Sequence, residues 1–110
     1  MSEFLCKITE ISEAEPKLVR VQGQRIVVVR VGASVYALEA SCPHYAGPLN
    51  EGSVCADRLE ITCPWHRFRF SLRDGSCVAA TKRPAAKTFA VVVNGDDVFA
   101  DIPVKETEDR

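Results

Sequence analysis

Histidine is scarce in this chain: there are two, His44 and His66, in 110 residues. Whatever chemistry needs imidazole must use one or both of them. There is no excess of either charge. Fourteen Lys and Arg stand against fifteen Asp and Glu, a formal net charge of −1. That argues against nucleic acid as the main partner, because phosphate neutralisation needs a basic surplus. No run approaches the ~18 apolar residues of a membrane-spanning helix. The start, Met1-Ser2-Glu3-Phe4, lacks a basic segment followed by an apolar run, so a secretory signal is not expected and the cytoplasm is the expected location. Long helix-spaced apolar patterns are missing too. Only Ile11-Ser12-Glu13-Ala14-Glu15 offers a helical turn before Pro16.

What remains is a series of short strand signals. Phe4 to Thr9 is one. Arg25 to Val31 is a β-branched run that stops at Gly32-Ala33-Ser34, and Val35 to Glu39 follows, so the two read as a hairpin. Arg58 to Thr62 and Phe68 to Leu72 are further strands, and Asp74-Gly75 is a turn after them. Lys87 to Val93, Asn94-Gly95-Asp96-Asp97 and Val98 to Ala100 read as a closing hairpin. Many short strands separated by turn signals indicate an all-β sandwich or small barrel. We expect one domain over residues 1–103 and a charged, mobile tail over 104–110.

Two loops differ in character from these strands. One is Cys42-Pro43-His44-Tyr45-Ala46-Gly47-Pro48-Leu49, the other Cys63-Pro64-Trp65-His66. Both histidines of the chain therefore lie within three residues of a cysteine. Cys-x-His and Cys-x-x-His put two thiolates and two imidazoles on two loops, and proline after each cysteine stiffens the loop. Two metals suit that set: a tetrahedral zinc, or a [2Fe–2S] cluster with two Cys on one iron and two His on the other. Zinc modules usually pair Cys with Cys and His with His along the chain. Here each loop supplies one of each, which suits the cluster. An odd cysteine count without a secretory signal also speaks for metal or redox chemistry over a disulfide scaffold. Cys6, Cys55 and Cys77 fall outside the loops and read as small buried hydrophobes.

These boxes resemble those of the Rieske ferredoxins, electron carriers of bacterial ring-hydroxylating oxygenase systems and their relatives. Cys42-Pro43-His44 matches the first ligand box and Cys63-Pro64-Trp65-His66 the second; Gly47-Pro48-Leu49, Phe70 and Asp74-Gly75 fit the segments after them. The resemblance covers nearly the whole chain. It implies an antiparallel three-sheet β fold, with the two loops forming a small cluster-binding subdomain. It implies one Rieske [2Fe–2S] cluster per chain, held by Cys42, His44, Cys63 and His66. It also implies a monomeric one-electron carrier, with a flavin reductase using NAD(P)H as donor and an oxygenase as acceptor. Two positions depart from the family. Arg67 stands where glycine usually follows the second His, and is strained if that position needs a positive φ. Ala46-Gly47 replaces the usual Gly-Ala.

Other functions fit less well. A complete oxygenase needs two further His and a carboxylate for mononuclear iron, and none remain. A Rieske protein of a quinol-oxidising complex carries two extra loop cysteines, where this chain has Gly47 and Trp65. A small subunit of an assimilatory reductase is lowered by the presence of all four ligands, and a zinc interaction module by their order. Arg67, Arg69 and Arg73 alternate with Phe68, Phe70 and Leu72. Period two sends the arginines to one face of a strand, either as a solvated face or as a basic patch for an acidic partner. Trp65 reads as packing against Leu49 or Pro48 that closes the loops, and also as a loop-tip aromatic that shields the cluster or meets a partner; Pro48 and Leu49 read the same way, as cover for the cluster.

Overall fold

A computed structural model describes residues 2–40, 48–64, 67–78 and 85–102. Within them ten strands form three antiparallel sheets, the architecture expected from the sequence. The first sheet joins β1 (Ser2–Lys7), β10 (Asp97–Asp101) and β9 (Val91–Asn94). The second runs β2 (Lys17–Val21), β3 (Gln24–Val31), β4 (Ser34–Glu39), β8 (Thr88–Phe89). The third is small: β5 (Ser53–Cys55), β6 (Glu60–Thr62), β7 (Arg69–Ser71).

The second sheet is the middle layer, and β3 shows why. Ile26, Val27, Val28 and Val29 are all fully buried. A strand that is apolar on both faces must be covered on both. Ile26 and Val28 join Leu5, Val98, Ala100 and Ile102 in one core, beneath the first sheet. Val27 and Val29 join Leu49, Ile61, Cys63 and Phe70 in the other, beneath the third sheet. The uninterrupted β-branched run in the sequence thus became the wall between two cores.

Both expected hairpins are present. Val31 pairs with Ser34 around Gly32 (φ 61), and Asn94 with Asp97 around Gly95 (φ 64). Asp74-Gly75 also turns as expected. The Asp74 carboxylate accepts hydrogen bonds from the Ser76 N–H at 3.0 Å and the Ser76 hydroxyl at 2.8 Å. These hold its pKa below the usual carboxylate range.

Other expectations need correcting. The run from Lys87 to Val93 is not one strand: it breaks at Ala90, so that β8 pairs with β4 and β9 with β10. The helical turn sits at Ile8–Glu10, as a 3-10 turn, and not at Ile11 to Glu15. The later segment is held instead against β3. The Glu13 carboxylate accepts the Gly32 N–H and pairs with Arg30 at 3.4 Å, while the Ala14 N–H donates to the Arg30 carbonyl. The first strand accordingly ends at Lys7, two residues early. Strands β2 and β5 had no sequence signal strong enough to read. The β2–β3 turn uses Gln22-Gly23, both at positive φ, where Asn-Gly or Asp-Gly would have been recognisable. The tail 104–110 lies outside the described residues.

Replacing Ile26 by alanine leaves a void against a layer that cannot collapse from either side. We expect Ile26→Ala to lose about 2–5 kcal/mol of unfolding free energy, read as a lower urea midpoint with unchanged slope.

Candidate metal centre

The sequence places the two Cys/His loops between β4 and β5 and between β6 and β7. Each is closed at its neck by a backbone hydrogen bond. For the first, the Leu49 N–H donates to the Ala40 carbonyl at 2.7 Å. For the second, the Cys63 N–H donates to the Phe68 carbonyl at 2.8 Å, and the Arg67 N–H to the Cys63 carbonyl at 2.9 Å. The second neck continues the β6–β7 ladder, in which Thr62 faces Arg69 and Ile61 faces Phe70. A short two-stranded ladder with one apolar face against the core is a rigid mount for a loop.

Of the four expected ligands, Cys63 is described; Cys42, His44 and His66 lie outside the described residues, as do Tyr45, Ala46, Gly47 and Trp65. Cys63 is fully buried and forms no disulfide. It lines a cavity of about 350 Å³ whose walls come from both stems: Glu51, Gly52 and Ser53 after the first loop, and Thr62, Cys63, Pro64 and Arg67 at the second. A buried cysteine in the wall of a cavity between two loop stems fits a group held jointly by the two loops. Among the described residues, no three Cys, His, Asp or Glu side chains gather into an alternative metal site.

The remaining cysteines divide. Cys6 and Cys77 are buried, at 3% and 4% exposure, as expected. Burial pushes the Cys6 thiol up, with Glu10 adding to this and Lys17 opposing it, so it stays protonated and inert. Cys55 is exposed, contrary to expectation. On the edge strand β5, Val54 turns inward and Ser53 and Cys55 outward, an alternation too short to read in the sequence.

Around the site the period-two pattern holds. Phe70 and Leu72 are buried and Phe68 half-buried, while Arg67 and Arg73 are exposed. Arg69 differs: its Nη1 lies 3.3 Å from Oε1 of Glu60, a carboxylate only 9% exposed. Thr62 opposes Arg69 and Ser71 opposes Glu60, so the pair bridges the ladder diagonally. With the Arg69 side chain 39% exposed, the pair contributes about 1 kcal/mol at most. One arginine of the stripe is therefore partly neutralised within the chain, which weakens the stripe as a basic patch. Leu49 is fully buried in the same core as Cys63, in keeping with its expected role as cover.

The expected strain at Arg67 is real: its φ is 59, in the left-handed region that costs a β-carbon residue roughly 1–2 kcal/mol.

Comparison with known proteins agrees with this geometry. The family model "Rieske [2Fe-2S] domain" matches residues 2–90. The chain is similar to the 3-phenylpropionate/cinnamic acid dioxygenase ferredoxin subunit of Escherichia coli (strain K12). Identity is 27% over 101 residues, covering 91% of this chain and 92% of the relative. Among solved structures it resembles the ferredoxin of carbazole 1,9a-dioxygenase from Nocardioides aromaticivorans IC177. There the identity is 31%, the TM-score 0.85, and the coverage 91% of this chain and 96% of that one. A further similar structure is a complex of reduced oxygenase and oxidised ferredoxin in carbazole 1,9a-dioxygenase, at 27% identity and TM-score 0.79, covering 90% and 91% of the two chains.

Arg67→Gly should relieve the left-handed strain, offset in part by glycine's greater freedom when unfolded. We expect a gain of up to about 1 kcal/mol, measured by urea unfolding, with the iron content unchanged.

Proposed function

Since the chain belongs to the Rieske [2Fe–2S] domain family, we propose that it is a one-electron carrier, passing electrons from an NAD(P)H-dependent flavin reductase to an oxygenase. The observation that carries this reading is the buried Cys63, free of any disulfide, set on a closed hairpin neck and sharing a cavity wall with the stem of the other Cys/His loop. The names of its relatives, ferredoxin components of aromatic-ring dioxygenases, supply the acceptor class.

The cofactor is a Rieske-type [2Fe–2S] cluster. Cys42 and Cys63 would ligate one iron and His44 and His66 the other, with residues 1–103 as the domain that carries them. When bound, the cluster takes up and releases a single electron. The chain's own residues do the rest. Cys63 is held in place by the Phe68 carbonyl, and its own carbonyl is engaged by the Arg67 N–H. Leu49, Ile61 and Phe70 keep water from its inner side. No group for substrate chemistry is needed. Among the described residues no helix is long and apolar enough to cross a membrane.

The purified protein should be red-brown, with two irons and two inorganic sulfides per chain. Cys42→Ser and Cys63→Ser should each abolish assembly, because each removes a thiolate. Colourless protein containing one zinc would reject the reading.

The residues after the second box bear on the potential. Hydrogen bonds to cluster or cysteine sulfurs favour the reduced, more negative state and raise the potential. High-potential Rieske proteins carry a serine and a tyrosine two and four residues after the second His; here Phe68 and Phe70 stand there, and their side chains carry no O–H or N–H. The potential is expected toward ~−150 mV rather than ~+300 mV, matched to electrons from a flavin. Phe70 is fully buried, so Phe70→Tyr places a hydroxyl inside, and where that hydroxyl reaches a sulfur the potential should rise in voltammetry. A wild-type value well above zero would contradict the reductase-to-oxygenase assignment.

A further inference from the structure

Gly52 has an ordinary backbone. Its φ is −83, a value open to any residue, so conformational freedom is not why glycine stands there. The reason is proximity. A β-carbon at Gly52 would lie 1.9 Å from the carbonyl oxygen of Thr62 and 3.0 Å from its carbonyl carbon. Both are backbone atoms, and no side-chain rotation relieves such a collision.

The two backbones that meet here are the stems of the two ligand loops. On one side, the Gly52 N–H donates to the Leu49 carbonyl at 3.0 Å, and the Leu49 N–H donates to Ala40 at the neck of the first loop. On the other, Thr62 directly precedes Cys63, and Ser53 pairs with Thr62 in the β5–β6 ladder. The cavity lined by Cys63 is lined by Gly52 as well. A push at this contact has two outlets: along the Leu49–Glu51 turn to the first neck, or through Thr62 to the Cys63 thiol.

We propose that Gly52 is a positioning residue: its missing side chain sets the separation of the two loops, and so the fit of the site to a rigid group bound by both. This rests on the cluster being held jointly by the loops, as argued above. Iron–sulfur ligation tolerates little displacement, and residues one step removed from the metal commonly alter its retention 10–100-fold.

Gly75 provides the control. A β-carbon there would meet the Ala86 carbonyl oxygen at the same 1.9 Å, and its φ of +79 adds backbone strain, but it lies in the turn after β7, and the backbone it would strike belongs to neither Cys/His loop. Holo wild type, Gly52→Ala and Gly75→Ala should be compared by visible circular dichroism, voltammetry, iron release to a chelator, and urea unfolding. Gly52→Ala is expected to lose iron on the order of tenfold faster, with an altered visible spectrum and potential. Gly75→Ala is expected to lower the urea midpoint while keeping both wild-type signatures. Wild-type spectrum, potential and iron release in Gly52→Ala would overturn the proposal, as would equal changes in Gly75→Ala. Should Gly52→Ala fail to fold, Leu49→Val decides, because it shortens the buried side chain on which the turn carrying Gly52 rests, the Leu49 carbonyl accepting the Gly52 N–H. Faster iron release with an altered spectrum supports the proposal, and wild-type values overturn it. Wild-type protein without iron and sulfide would reject the cluster reading itself, a different result from a normal cluster indifferent to Gly52.

Discussion

Everything in this fold hangs on the need to cover β3 from both sides. Four consecutive apolar residues, Ile26 to Val29, are fully buried, and because their side chains alternate, no single layer can cover them. The first sheet covers one face. The other is covered by the small third sheet, by the loop stems at Leu49 and Cys63, and by Ala86 before β8. The cluster module is thus part of the core packing of the middle sheet. Without that module, half of β3 would face water.

This arrangement ties the site to the fold in a specific way. Cys63 sits in the same apolar cluster as Val27, Val29 and Leu38, so the inner side of the site is anchored to the middle sheet. The two loops leave this anchor through necks closed by backbone hydrogen bonds, one at the first and two at the second. Beyond the necks lie the positions proposed to carry the remaining ligands. The strands that flank the loops fix where each loop starts. Electron transfer needs no more of the protein than this, because the cofactor carries the chemistry and the chain sets its surroundings.

The charges near the site are more internally balanced than a list of residues implies. Arg69 spends part of its charge on Glu60, a carboxylate that would be costly to bury alone. Arg67 and Arg73 stay exposed. Spacing on a strand says which face a side chain takes; it does not say which charges meet across the ladder, because that depends on register.

Much of the fold was legible in the sequence, and of the four expected ligands the described residues include Cys63, buried on the stem of the second loop. The β-branched run from Arg25 to Val31, the two glycine-centred hairpins and the Cys-Pro-His and Cys-Pro-Trp-His boxes are local signals. They rest on backbone preference and ligand chemistry, which need no knowledge of distant residues. Strands β2 and β5 were not legible, because each is short and stabilised chiefly by the neighbour it pairs with. The split of Lys87 to Val93 at Ala90 was hidden for the same reason, since its two halves serve different sheets. By itself the sequence determined the β character of the chain, the cofactor class and the family, because those follow from residue types and spacings. Only the tertiary structure decided that Cys55 is exposed, that Arg67 is held at φ 59, that Arg69 meets Glu60, and that Gly52 touches the Thr62 carbonyl. Each of these is a matter of which backbone comes to lie beside which, and packing in three dimensions settles that.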